Sequence, residues 1–436
     1  MPTFPGPAPP IVVRGEGVRL YDAEGRAYID GSSGAVAASL GHGDERIARV
    51  IAEQAARVAF AHRTQFRNEP AERLGRLLAE VAPPGLHWSL LVNGGSEAVE
   101  ASIKMALAHW RARGHPEKTQ IVSRWMSYHG STLGALSATG HPGRRRAAAA
   151  LLHSFPAVHP PNRYRCPLGR SVGGCTAKCA EELDAALVRI GPERVAAFVA
   201  EPITGASSAA LTPAPGYYER VREICDHHSV LWIADEVMTG FGRTGRWFAL
   251  EHWNAVPDLI AFGKGASGGY MPLGGVIAGD AVVGPVLEQE GHVSFGHTYT
   301  NTPLPAAVGV AVIERIAEEG LVERAARLGE RLEAGLRGMA ERHAPIGDVR
   351  GRGLMWGVEL VADRETRAAA PPADGLTRLV LESCRRQGLI LYGAAGCIDG
   401  VSGDAVMVAP PLVATEQDVD ELLELLDRGL AAVEWP

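Results

Sequence analysis

The chain is poor in cysteine, in concentrated positive charge and in long apolar runs, and each shortage excludes something. Six cysteines in 436 residues (Cys166, Cys175, Cys179, Cys225, Cys384 and Cys397) are too few and too scattered for an extracellular disulfide framework. A reducing compartment is therefore expected. Lys and Arg total 43 against 50 Asp and Glu, a net charge of -7, and the one dense basic cluster is Arg144 to Arg146. Binding a phosphate backbone needs a basic stripe, so no nucleic-acid partner is expected. No stretch approaches the roughly 18 apolar residues of a membrane span, and the opening MPTFPGPAPP has neither the basic nor the apolar region of a signal peptide. A soluble, cytoplasmic protein with no membrane partner is expected. What the chain does have is glycine, 52 residues beside 29 prolines, which predicts a globular fold rich in tight turns. Its length suits two or three domains of roughly 100 to 200 residues.

The Pro-rich first ten residues predict an extended arm, and IVVRGEGVRLYDAEGRAYID has the alternation of a small β-meander. From Ile47 the pattern turns helical. Between Leu90 and Ile277 short apolar runs then alternate with helical segments: SLLVN, TQIVS, VAAFVAE, SVLWIAD, PDLIAFG and PLGGVIAG. Such runs indicate strands buried on both faces of a mostly parallel sheet, hence an α/β fold. Residues 304–343 read as a long helical connector. After it, IGDVRGRGLMWGVELVAD, TRLVLESCRRQG and DAVMVAPPL suggest a small α+β unit. A helix from Glu416 closes it, with Thr415 and Asp418 spaced as a capping box.

In open parallel sheets ligands sit at the carboxyl ends of the strands. VAAFVA is followed by Glu201, SVLWIA by Asp235 and DLIAFG by Lys264, so three strands each deliver an ionisable side chain to one edge. Any one of these could simply punctuate a strand end. All three, with Gly263, Gly265, Gly268 and Gly269 around the lysine, point to a place where backbone approaches a flat ligand closely. A lysine emerging from an apolar strand into a cleft is partly desolvated, which lowers its pKa toward the neutral amine that Schiff-base chemistry needs. In VNGGSEAVEASIKMA the turn Gly94, Gly95, Ser96 opens a helix and offers free N–H groups to a phosphate; Ser96 alone reads equally as a helix cap. Tyr128, His129 and Gly130 follow the next apolar run, where an aromatic could stack on a planar ring, although a Tyr-His pair is more often packing. Thr298 lies in GHTYTNTPLPAA, by itself turn chemistry. Cys166, Cys175 and Cys179 invite a zinc reading, but three thiols at Cys-x8-Cys-x3-Cys fit no common zinc knuckle. Packing or a lid is the preferred reading there, with no metal.

Together these pieces resemble the class III pyridoxal-phosphate-dependent aminotransferases of fold type I. The resemblance runs from YDAEGRAYIDGSSG to GRGLMWGVEL, and its most specific stretch is IADEVMTGFGRTG followed by DLIAFGKGASGGYMPLGG. It implies a large cofactor-binding domain over residues 56–318 and a small α+β domain assembled from residues 1–55 and 319–436. It implies pyridoxal 5'-phosphate as cofactor and ping-pong transfer of an amino group from an amine to a keto acid or aldehyde. Lys264 would carry the cofactor as a Schiff base and move the proton, and Asp235 would pair with the pyridine nitrogen. Val237 would cover one ring face and Tyr128 the other, with His129 also at the cofactor. Gly95 and Ser96 would hold the phosphate, and Thr298 would reach the phosphate of the neighbouring subunit's cofactor. A homodimer, or a tetramer built from it, is implied. The same family hosts racemases, epimerases and aminomutases that use the same lysine, and these are the alternative reading. A non-catalytic cofactor-binding protein is disfavoured.

Departures from the family pattern bear on the substrate. Acetylornithine-type and dialkylglycine-type members carry an arginine before the C-terminal PPL that clamps an α-carboxylate, and Met407 stands there in DAVMVAPPL. Ser131 stands where acetylornithine-type members have an arginine just after the HG, and no arginine lies between Arg386 and Arg428. Methionine offers no N–H donors, so an α-amino acid held by that clamp is not the expected donor. The expectation is an ω-transaminase-like enzyme taking a primary or ω-amine, with Glu201 and Met407 as candidate substrate contacts. Met238, where many relatives have Gln, points the same way.

Overall fold

An antiparallel meander of β1 (Val12–Glu16), β2 (Arg19–Asp22) and β3 (Ala27–Asp30) opens the chain in the computed structural model, which describes residues 9–166, 168–169 and 177–436. The central element is a seven-stranded sheet. Its strands are β4 (Leu86–Val92), β5 (Gln120–Arg124), β6 (Ala157–Val158), β7 (Val195–Ala200), β8 (Leu231–Asp235), β9 (Leu259–Phe262) and β10 (Gly274–Gly279), in the order β4-β10-β9-β8-β7-β5-β6. The pairings of β5 with β6 and β7, β7 with β8, and β8 with β9 are parallel. β10 alone runs antiparallel to both its neighbours. Only residues 263–273 separate it from β9, with one short 3-10 turn at Lys264–Ser267, too little for the crossover that a parallel neighbour requires.

The apolar runs are buried along their whole length: every residue of β7, β8, β9 and β10 lies inside. Side chains alternate across the sheet, so Val199, Ile233, Leu259 and Ala261 feed one core with Val99 and Trp110 of the helix Gly95–Ala112. Phe198, Trp232, Ile260 and Phe262 feed the other, with Val221 and Ile224 of the helix Tyr217–His227. Two-sided covering fixes the register of every strand. The strand-end residues therefore emerge along one edge.

Beyond the sheet, two helices, Pro303–Glu318 and Leu321–Arg342, make the connector. Gly320, at φ +59°, turns the chain between them. The C-terminal sheet contains β11 (Ile346–Arg352), β12 (Met355–Leu360), β14 (Tyr392–Gly393) and β15 (Asp404–Val408), in the order β11-β12-β15-β14. The short β13 (Leu389–Ile390) instead pairs parallel with β3, so both ends of the chain share one sheet. Arg243, the arginine of FGRTG, ties these parts together. Its buried guanidinium donates to the carbonyls of Pro410 at 2.5 Å and Leu354 at 3.1 Å and to the Ser33 hydroxyl at 3.2 Å. The final helix, Glu416–Ala431, starts with the expected capping box: Asp418 N–H donates to Thr415 Oγ1 and Thr415 N–H to Asp418 Oδ2.

Sheet membership supports a large unit around the seven strands and a smaller one from both chain ends, a division we propose with one change of boundary. The expected cut between residues 55 and 56 falls inside the helix Glu45–Arg57, capped at its start by Asp44. That helix packs on Pro303–Glu318 and goes with the large unit as a whole. The proposed cut at 318 falls between two helices. No helix among the described residues is long and apolar enough to cross a membrane. Cys175 lies outside the described residues. Cys166 is half-buried and Cys179 buried.

Candidate active site

The ends of β7, β8 and β9 open on one cavity of about 200 Å³, whose walls include Glu201, Asp235 and Lys264 together with Gly95, Ser96, Tyr128, His129, Val237 and Met238. Residues from strand ends, a glycine turn and an aromatic loop are thus brought together across more than a hundred positions of sequence.

Lys264 is the first residue after the extended Gly263 and has φ +41°, a left-handed backbone conformation that a side-chain-bearing residue adopts only at a cost. The turn aims its amine into the cavity, where it makes no hydrogen bond to a described residue. Burial lowers the amine's pKa to about 8, against the opposing pull of the Asp235 and Glu201 carboxylates, and Arg144 lowers it further. About a tenth is then neutral at pH 7, against well under a thousandth at the ordinary lysine value, and a nucleophile or base must be neutral.

Asp235 is buried at the end of β8. Its Oδ1 accepts from Val237 N–H at 3.1 Å and its Oδ2 lies 2.7 Å from His129 Nδ1. With the carboxylate ionised, Nδ1–H is the donor. His129 is itself fixed by its backbone N–H on Thr139 Oγ1 at 2.9 Å. Glu201 is held differently: its Oε1 accepts from Gly205 N–H at 3.1 Å and its Oε2 from Tyr128 N–H at 3.3 Å. Its backbone carbonyl accepts from Arg124 and from the Tyr218 hydroxyl. Burial raises the Glu201 pKa, and Asp235 adds to the rise while His129 and Arg124 oppose it. Glu201 therefore braces the Tyr128 loop, a role the sequence did not suggest.

At the phosphate turn the helix Gly95–Ala112 begins with Gly94 as its cap residue and no side-chain cap. Ser96 is thus not the cap. Its Oγ accepts from Ser131 N–H at 3.1 Å, joining this turn to the Tyr128 loop. The space is closely fitted to glycine. A Cβ on Gly95 would lie 2.6 Å from Val237 Cγ1, and one on Gly130, at φ +138°, would lie 2.5 Å from Ser96 Oγ. The N–H groups at the helix start stay open for an anion.

Two expected residues stand elsewhere. Met407 is wholly buried in β15, every residue of which is covered, and it does not line the cavity. Tyr392, its partner across β14 and β15, does. Thr298 is exposed and lies outside this chain's own cavity. Arg144, Tyr392 and the Gly205 to Ser207 loop line the cavity without having been singled out from the sequence. Of these only Arg144 left a signal, its charge cluster.

A lysine and an aspartate on neighbouring strand ends, below a glycine turn that opens a helix, form the layout of a fold type I pyridoxal-phosphate enzyme. The residues fit that cofactor: the turn leaves no room for a Cβ, the helix start offers N–H groups, and the lysine amine makes no hydrogen bond to a described residue. The chain belongs to the class III aminotransferases, whose family model matches residues 5–430. It is 42% identical over 425 residues to an uncharacterized aminotransferase of Bacillus subtilis (98% of this chain, 96% of that protein). It is 33% identical over 429 residues to a putrescine–pyruvate aminotransferase of Pseudomonas aeruginosa (97% and 91%). Among solved structures, the ω-transaminase of Pseudomonas jessenii in complex with PMP superposes with a TM-score of 0.90 at 33% identity, over 97% of this chain and 92% of that one. The chain is an aminotransferase that uses pyridoxal 5'-phosphate.

Proposed function

We propose that this aminotransferase takes its amino group from a primary or ω-amine rather than from a clamped α-amino acid, passes it to a keto acid or aldehyde, and works in the cytoplasm as a homodimer. The observation that carries the donor reading is the cavity lining. Ser131 is turned to solvent with its N–H on Ser96, and the strand bearing Met407 is buried on both faces, so neither clamp position presents a group to substrate. Met238, Tyr128 and Tyr392 offer apolar wall instead. A relative that acts on putrescine and pyruvate supports the same reading.

Gly95 and Ser96 would hold the cofactor's phosphate, Asp235 its ring nitrogen, Val237 and Tyr128 its two ring faces, and Lys264 its aldehyde carbon. When bound, the cofactor supplies an aldehyde for the amine and a ring that accepts the electron pair left when the substrate carbon loses its proton. Lys264 Nζ takes that proton and returns it, and its lowered pKa suits both directions. Asp235, aligned by His129 and Val237 N–H, would supply the negative charge that holds a proton on the ring nitrogen. Thr298, exposed on its loop, is free to serve the partner subunit's site.

The test is a single-turnover panel that follows conversion of the bound cofactor to its amino form. Diamines, ω-amino acids and simple amines are expected to convert it fastest. If glutamate or another α-amino acid were by far the best donor, the reading from Met407 and Ser131 would be wrong. A racemase would show no net conversion with any donor.

A further inference from the structure

We propose that Arg144 recognises the acidic group of the substrate, binding the carboxylate of the keto acid acceptor or of an acidic ω-amine. The proposal rests on the reading of this cavity as the site of amino transfer, and it supplies the counter-charge that the missing clamps leave unassigned. Arg144 is the one arginine among the described residues that line the cavity. It sits on the short helix Pro142–Arg145, and its backbone is held by an N–H to the His141 carbonyl at 3.2 Å and to His141 Nδ1 at 3.4 Å. Its guanidinium carbon is 4.6 Å from the centroid of the Tyr128 ring. A guanidinium placed over an aromatic face keeps its N–H edges free for other partners.

Those edges are in fact unused. The Arg144 side chain makes no hydrogen bond and no ion pair with a described residue, whereas other exposed arginines such as Arg220 and Arg331 are paired with carboxylates. The acids of the cavity are already engaged, Asp235 by His129 and Val237 N–H, and Glu201 by Gly205 and Tyr128 N–H. Nothing among the described residues therefore competes for the fork. A carboxylate matches it with two parallel N–H···O bonds, a geometry that an aldehyde or a simple amine cannot use. Arg144 is exposed on the cavity wall, so its long side chain can swing away when an uncharged or cationic donor occupies the same space. One residue thereby lets a single cavity serve a keto acid in one half-reaction and an amine without an acid group in the other.

The test uses the holoenzyme loaded in its amino form and compares kcat/KM for pyruvate with that for propanal, which has the same carbon chain but no carboxylate. In Arg144→Gln the pyruvate-over-propanal ratio is expected to fall by about 10- to 100-fold, the range for a charge-assisted bond. Arg144→Lys, which keeps the charge but loses the fork, is expected to fall between Gln and wild type. An unchanged ratio overturns the proposal, including the case in which both substrates decline together because Arg144 only supports Tyr128. Loss of bound cofactor from the variants with an unchanged ratio in the remaining loaded enzyme would place Arg144 on the phosphate, and so overturns it too. If the wild-type enzyme converted its cofactor with no amine at all, the amino-transfer reading itself would fall, and this proposal with it.

Discussion

Replacing His129 isolates the work done beneath the ring site. His129 donates to Asp235 Oδ2 at 2.7 Å in a place where both residues are buried. His129→Phe fills the space but removes the donor, leaving one oxygen of a buried carboxylate without its partner. A hydrogen bond to a charged group is worth roughly 1.5 to 3 kcal/mol, and tenfold in rate corresponds to about 1.4 kcal/mol. The Phe variant is therefore expected to lose about 10- to 100-fold in kcat, with the donor KM changed much less, because the defect lies in electron withdrawal and not in amine binding. His129→Asn, whose amide can place an N–H near the position of Nδ1, is expected to recover most of that loss. The assay is steady-state transamination with one good amine, alongside the absorbance of the bound cofactor to confirm loading. Equal activity in wild type and His129→Phe would refute the reasoning, as would equal damage from Phe and Asn.

Two pH experiments follow from buried groups. Glu236 is wholly buried, its carboxylate accepting from Thr239 Oγ1 and from Leu250 N–H, and burial raises its pKa from 4.5 to about 7. The folded protein thus keeps a proton that the unfolded chain releases, so this contribution to stability is present at low pH and lost as pH rises toward 7, by roughly 3 kcal/mol in all. Melting curves between about pH 5 and pH 8 should show Glu236→Gln declining less steeply than wild type; parallel curves would contradict this. Lys264, with its amine pKa lowered to about 8, should capture added cofactor in the apoprotein at a rate that rises through about pH 8 and then levels off. A rate still climbing toward the ordinary lysine value of about 10.4 would contradict the burial argument.

Much of the architecture was legible because buried strands announce themselves. Short continuous apolar runs bounded by turn residues fit two-sided strands, and their ends at Glu201, Asp235 and Lys264 fall on one edge by topology. The reversal of β10 was not visible in its apolar run, which looks the same in either direction. It follows only from the short link after β9. Arg144 read only as part of a basic cluster because nothing local in GHPGRRR says that its guanidinium lies over the Tyr128 ring. The partnership of His129 with Asp235 spans 106 positions, and no spacing rule reaches that far. For Met407 the motif says less than the surroundings do. Its place before PPL is a family position, but the local burial of β15 decides where the side chain goes.

The most direct measurement is a single turnover of Lys264→Ala beside wild type, loaded with cofactor and mixed with one reactive amine. Lys264 is held here to be the group that binds the cofactor and moves the proton, so the variant should lack the absorbance of the covalently attached cofactor and form no carbonyl product on the wild-type timescale. A variant that transferred the amino group at the wild-type rate would contradict the assignment of this cavity as the active site.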